Sequence, residues 1–393
     1  MPGRRANREG TVTKRPDGKY QGRIRYIDPV TGKPKRTSVY GKTSAECRAK
    51  LKAIAERLEQ GSPARDSKQG VGDWVARWRE TSLQASDRKA TTKHLYDSLA
   101  RTHIEPSSTL GTVRLDRLRP SDIEGFVVEL RRKGLADSSV RSIYTVLRAA
   151  LDGAVRDGLL HTNPCTKVPR PRVERDEARS LTSAQVSRLL AEARSSRYYV
   201  GVLIMAKCGL RRGEVAALRW SDIHPTYLSV THTLSRIDGE LILSKPKTKR
   251  SRRRVPLPAD VVTELRRVRT RQKAERLRAG SVWAGHNDMV LTTELGTMVD
   301  PRNLLRVVEV AARSAGLEGV GAHTLRHSFA TALLEAGVHI KAIADLLGHG
   351  SISITGDLYG HTTPDHARDA IDALSVAMGV YKGRTDAEKA PSA

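Results

Sequence analysis

The spacing of apolar positions changes along the chain, and the changes divide it. Over Gln21–Ile27 basic and apolar residues alternate as Arg23, Ile24, Arg25 and Tyr26, the period of a strand with one buried face. Turn chemistry brackets this run, with Pro16-Asp17-Gly18 before it and Asp28–Gly32 after it, so the segment predicts three short strands. The period then lengthens. Thr43 and Glu46 form a capping box, and Cys47, Leu51, Ile54 and Leu58 share one face of the helix that follows. From Val71 to Val168 the pattern is helical throughout and predicts four or five helices. Trp74 and Trp78 lie one turn apart, Pro120-Ser121 opens a helix with Glu124 completing a capping box, and Val140, Tyr144, Leu147 and Leu151 mark a core stripe.

A third stretch, Leu181–Tyr381, starts with the helix signal Leu181-Thr182-Ser183 before Val186, Leu189 and Leu190. It is mainly helical, with one β region in which Tyr227–Leu234 and Glu240–Leu243 surround an Asp238-Gly239 turn. Polar stretches separate the three: GSPARDSKQG at Gly61–Gly70 and PRPRVERDEARS at Pro169–Ser180. The expected organisation is a multidomain, mainly α protein. Residues 1–60 form a small three-stranded sheet with one helix, 61–70 a linker, and 71–168 a helical domain. Residues 169–180 form a second linker, 181–381 a mixed but mainly α domain, and 382–393 a polar tail. No internal repeat is found.

Charge narrows the function. The 393-residue chain carries 69 Lys and Arg against 43 Asp and Glu, a formal net charge of +26 that suits a polyanionic partner. Residues 1–60 alone hold 16 basic against 6 acidic residues, so the arginine-rich face of the expected sheet fits a DNA groove. An acidic membrane is the weaker alternative, because no apolar run approaches the ~18 residues of a spanning helix. No lipidation signal is found, and MPGRRANREG lacks the apolar region of a secretory signal. Cys47, Cys165 and Cys208 are too widely spaced for a zinc knuckle or a disulfide framework, which points to a reducing cytoplasm.

Four stretches hold candidate chemistry. In AHTLRHSFATALLEAG, His323 and Arg326 are three apart and share a helix side, which joins a proton handler to a guanidinium fork. In KCGLRRGEVAALRW, Arg211 opens a helix whose N–H groups also favour anions, and Glu214 is placed to hold the arginine's other edge. SKPKTKRSRRRVPLP places seven basic residues between Lys245 and Arg254, suited to lie along a phosphate backbone and bring one lysine to a strand break. LGHGSISITGDLYGH offers His349, Tyr359 and His361. Taken singly, each stretch also reads as a surface ion pair, a solvated loop or a packed tyrosine. Together they fit attack by a phenol on a phosphodiester. Fixed guanidinium groups would stabilise the phosphorane, and a lysine would protonate the leaving oxygen.

As an ordered set these motifs resemble the tyrosine recombinases of the phage-integrase type, over essentially the whole length. CGLRRGEVAALRWSDI resembles the first arginine box, PKTKRSRRRVPL the β-hairpin box, HTLRHSFAT the histidine–arginine box and LLGHGSISITGDLYGH the last box. The resemblance implies the catalytic set Arg211, Lys247, His323, Arg326, His349 and the nucleophile Tyr359, with Glu214 in support. Lys245, Lys249 and Arg250 beside the lysine, and Arg23 and Arg25 on the N-terminal sheet, would contact DNA. It implies an arm-type DNA-binding domain, a core-binding domain and a catalytic domain, acting through a 3′-phosphotyrosyl link and a Holliday junction without metal, ATP or cofactor. The partners it implies are double-stranded DNA with core-type and arm-type sites and three further copies of the chain, the residues after Met378 being candidates for exchange between neighbours. An excision-directionality factor and a host DNA-bending protein complete that set, in the nucleoid-associated cytoplasm of a bacterial host. Cys208, Gly350 and Gly356 depart from the usual pattern without removing a catalytic group, and Gly356 would loosen the segment before Tyr359. A regulator that kept the fold and lost the chemistry, a monomeric topoisomerase and a metal-dependent tyrosine nuclease are the alternatives. The missing pair of clustered histidine ligands weighs against the last.

Overall fold

Alternation builds the first sheet. In a computed structural model, which describes residues 10–27, 34–59, 69–174, 179–246, 251–285 and 288–348, three strands pair antiparallel in chain order. They are β1 (Thr11–Lys14), β2 (Tyr20–Ile27) and β3 (Pro34–Gly41). Ile24 on β2 is buried, while Arg23 and Arg25 point to solvent. Helix α1 (Ser44–Glu59) covers the other face through Cys47 and Leu51. Its first turn is capped as expected: Glu46 N–H donates to Thr43 Oγ1 at 3.1 Å, and Lys42 N–H donates to the Glu46 carboxylate at 2.8 Å. The register sets Arg25 directly opposite Arg36. Like charges in that position repel, which a polyanion laid across the face would relieve.

The chain divides into two compact units, Met1–Arg175 and Asp176–Ala393. The first also holds a helical group: α2 (Val71–Glu80), α3 (Ala90–Leu99), α4 (Pro120–Arg132) and α5 (Asp137–Arg156). Trp74 and Trp78 are buried on α2, and the indole Nε1 of Trp74 donates to the Ala150 carbonyl at 2.8 Å, which satisfies its one polar atom. Val140, Tyr144, Leu147 and Leu151 are buried along α5, as their spacing predicts. Two details differ from the sequence reading. Helix α3 runs on into a π-helical turn, Ala100–Ile104, whose ends are both buried. Helix α4 is capped two residues earlier than expected: Pro120 takes the first helical position, and the Asp122 carboxylate, not Glu124, accepts the Arg119 N–H at 2.8 Å.

The second unit is organised around α7 (Tyr199–Cys208), an apolar helix buried on nearly all sides. Around it pack α6 (Ser183–Ala193), α8 (Arg212–Ala216), α9 (Ala259–Ala279), α10 (Pro301–Ser314) and α11 (Ala322–Glu335). Thr182 caps α6 by a reciprocal pair with Gln185. Helix α12 (Ile340–Leu347) joins α11 through a small cluster of Ala330, Ile343 and Leu347. The single expected strand at 227–234 is in fact two, β4 (Tyr227–Val230) and β5 (Thr233–Ile237). Strand β5 pairs with β6 (Glu240–Ser244) across the Asp238-Gly239 turn, where both residues have positive φ. Strand β4 pairs instead with β7 (Arg253–Pro256), a strand that the run of basic residues conceals in the sequence.

Candidate active site

Gly209 ends α7 with φ at +63°, a left-handed conformation that glycine adopts without a steric cost. The turn it makes brings Arg211 to the start of α8. Glu214, one turn on, is buried and receives two guanidinium groups. It accepts the Arg211 backbone N–H at 2.9 Å and Arg211 Nη1 at 2.9 Å. From β7, Arg253 closes a bidentate pair on the same carboxylate, Nη2 to Oε2 at 2.9 Å and Nη1 to Oε1 at 3.2 Å. Burial by itself would raise the Glu214 pKa. The hydrogen bonds and charge of Arg253, followed by Arg211, outweigh it and hold the carboxyl below its usual range. Helix α8 has five residues, and Glu214 takes the N–H of Arg211 at its N-cap.

Arg326 lies one turn into α11 and is 6% exposed. Its Nη1 donates to the Gly209 carbonyl at 2.6 Å and its Nη2 to the Leu347 carbonyl at 2.5 Å. One guanidinium thus ties the turn before Arg211 to the end of α12. Arg253 Nε donates to the neighbouring Leu346 carbonyl at 2.5 Å. Gly348, at φ +66°, then terminates α12.

His323 is exposed on one side, but the protein packed about its ring depresses its pKa. The cations Arg212, Arg326 and Arg211 depress it further. His327, the next turn along, is lowered by burial and then by His323 and Arg326. At neutral pH the ring of His323 is therefore uncharged and able to accept a proton.

The structure brings together Arg211, Glu214, His323 and Arg326. Lys245 is exposed just beyond β6, its charge acting on His232. Arg23 and Arg25 belong to the sheet of the first unit. Lys247, Lys249, Arg250, His349 and Tyr359, with Gly350, Gly356, His361 and the residues after Met378, lie outside the described residues. Among the described residues, no group of three His, Cys, Asp or Glu is placed to hold a metal ion, and no helix is long and apolar enough to cross a membrane. The sequence reading missed Arg253, one of seven basic residues in this stretch. Strand alternation was the signal that could have found it: Arg253 lies two residues before the buried Val255 and so shares its inward side.

Comparison with known proteins identifies the family. The model of the phage integrase family matches residues 179–366. A tyrosine recombinase XerC-like protein of Caldanaerobacter subterraneus subsp. tengcongensis is 30% identical over 366 residues, 88% of this chain and 92% of the relative. The ICEBs1 integrase of Bacillus subtilis is 25% identical over 93% of this chain and 99% of its own length. Among solved structures, the Tn1549 transposon integrase in complex with a circular intermediate DNA superposes with a TM-score of 0.65 at 22% identity, covering 78% of this chain and 99% of that one. A lambda integrase tetramer bound to a Holliday junction gives 0.56 at 20% identity, over 92% and 99%. These structural likenesses concern the fold, and the near full-length sequence match carries the assignment. The chain belongs to the phage integrase family and is a tyrosine-type site-specific DNA recombinase.

Proposed function

We propose that the protein integrates a mobile element between attachment sites, and excises it with a partner, by cleaving and rejoining DNA through Tyr359. The phenolic oxygen attacks the scissile phosphorus, the bond from phosphorus to the 5′-oxygen breaks, and a 3′-phosphotyrosyl link forms. His323 takes the phenol's proton, and Lys247 gives one to the departing 5′-oxygen. Arg211, Arg326 and His349 hold the non-bridging oxygens as negative charge gathers there. The link conserves the bond energy, so a 5′-hydroxyl from the exchanging strand reverses the step without ATP.

One observation carries this reading. Arg326 binds the carbonyl two residues before Arg211 and the carbonyl two residues before His349, so three separate motifs meet at one guanidinium. Arg211 keeps its side chain 38% exposed with Nη1 on Glu214, an orientation suited to an incoming phosphate. A neutral His323 beside these cations is suited to accept a proton.

The exposed Arg23 and Arg25, opposite Ser38 and Arg36, support an arm-type DNA-binding role for residues 1–60. Residues 71–168 then form the core-binding domain and 181–381 the catalytic domain, with linkers at 61–70 and 169–180. Lys245, Lys249 and Arg250 would contact the core-site backbone. Four copies would act through a Holliday junction, as the lambda integrase tetramer is bound to one. The tail following Met378 would be exchanged between copies, an excision factor and a DNA-bending protein would set direction, and the setting would be a bacterial cytoplasm.

The test is a duplex spanning the direct repeat that flanks the element, nicked beside the cleavage position so that the freed fragment diffuses away. A denaturation-resistant protein–DNA adduct that forms equally in EDTA is expected. No adduct on a duplex that the protein binds would refute the catalytic reading and leave a DNA-binding regulator.

A further inference from the structure

The buried guanidinium of Arg253 is not among the groups assigned to the reaction, yet each of its three nitrogens donates a hydrogen bond within the fold. Its side chain is 5% exposed. Nε donates to Leu346 O, Nη1 to Glu214 Oε1 and Ser251 O, and Nη2 to Glu214 Oε2. Those partners come from three places: α8 beside Arg211, the segment just before β7, and the last turn of α12, which precedes His349 in the chain. So bonded, Arg253 is turned toward Glu214 and the end of α12. Arg211 is bonded to the same carboxylate through one Nη and is partly open to solvent.

We infer that Arg253 is a positioning residue for cleavage: it neutralises Glu214 so that Arg211 can face the phosphate, and it locks β7 to the end of α12. This rests on the reading of Arg211 and His349 as phosphate ligands. Without Arg253, the buried Glu214 carboxylate has Arg211 as its remaining bonded cation, and the guanidinium of Arg211 turns inward to satisfy it. Ground-state DNA binding, which sums many phosphate contacts, loses little. The cleavage step, which needs charge placed within a fraction of an ångström, loses much. Lysine restores the charge but not the planar fork that reaches two carboxylate oxygens and a carbonyl together.

The experiment uses the full chain with Arg253→Lys and Arg253→Met on the nicked duplex. It measures adduct formation at saturating protein, DNA affinity by titration, and thermal melting. Both variants are expected to cleave about 100-fold more slowly, with DNA affinity within about threefold of wild type. Arg253→Lys, which retains the cation beside Glu214, decides the matter if Arg253→Met does not fold. Wild-type cleavage by Arg253→Lys, or losses of cleavage and affinity in equal proportion, would overturn the inference. A wild-type protein that forms no adduct would instead refute the catalytic reading itself.

Discussion

Gly209 joins the fold to the site, and Gly209→Ala separates two costs that the structure makes legible. At φ +63° an alanine sits in the left-handed region, which costs an L-residue about 1–2 kcal/mol. Its Cβ would also lie 2.5 Å from Phe329 Cδ1, 2.8 Å from Phe329 Cε1 and 3.0 Å from Leu347 Cδ2. Overpacking a buried contact of this kind costs about 1–3 kcal/mol more. Stiffening of the unfolded chain returns about 0.4–1 kcal/mol, so the net loss is about 2–4 kcal/mol. At about 2–4 °C per kcal/mol for a unit of this size, the calorimetric transition of the second unit should fall by about 5–15 °C. Gly239→Ala is the control. Gly239 has φ at +85° and nothing within 4 Å of the added methyl, so it carries the backbone cost alone. If Gly209→Ala melted within about 1 °C of Gly239→Ala, the close packing of Phe329 on Gly209 would be refuted. Because the Gly209 carbonyl accepts from Arg326, adduct formation should also drop at temperatures where Gly209→Ala remains folded.

Three further outcomes are expected. Gly153→Leu should destabilise the helical group by about 1–3 kcal/mol, since a Cβ there already lies 2.9 Å from Trp78 Cδ1; near-UV dichroism of the tryptophans during urea unfolding checks it. Adduct formation should hold level from pH 8 down to the ordinary histidine value of 6.5 and fall only below it, because the folded pKa of His323 is depressed; a midpoint above 6.5 in single-turnover rates would contradict that. The same sign governs stability. Unfolded histidines take up protons near 6.5 before His323 and His327 do, so their contribution is full above 6.5 and is lost as pH falls toward the folded values, which denaturant titrations at pH 7 and 5.5 would show.

Local pattern carried the elements. Cys47 and Leu51, Trp74 and Trp78, and the α5 stripe all lie where their spacing predicts, because periodic burial is written in each segment alone. The misreadings have separate physical causes. The break between Val230 and Thr233 is set by partners, β7 for one strand and β6 for the other, which no local period reports. The cap of α4 fell to Asp122 because Pro120 fixed the first helical position. At the site, residue types and order made Arg211, His323 and Arg326 legible. Arg253 was harder to see, since strand alternation with Val255 sets it apart from its exposed neighbours Arg252 and Arg254 only once β7 is recognised, and the carboxylate that meets it comes from α8.

The most direct test of the account is the chemical identity of the covalent link. The adduct formed on the nicked duplex is digested with trypsin and nuclease, and the nucleotide-bearing peptide is sequenced by mass spectrometry. The expected peptide runs from Ala342, after Lys341, to Arg368 and carries the nucleotide 3′-phosphate on Tyr359, with no adduct from Tyr359→Phe. A nucleotide on any other residue, or an adduct that persists in Tyr359→Phe, would contradict it.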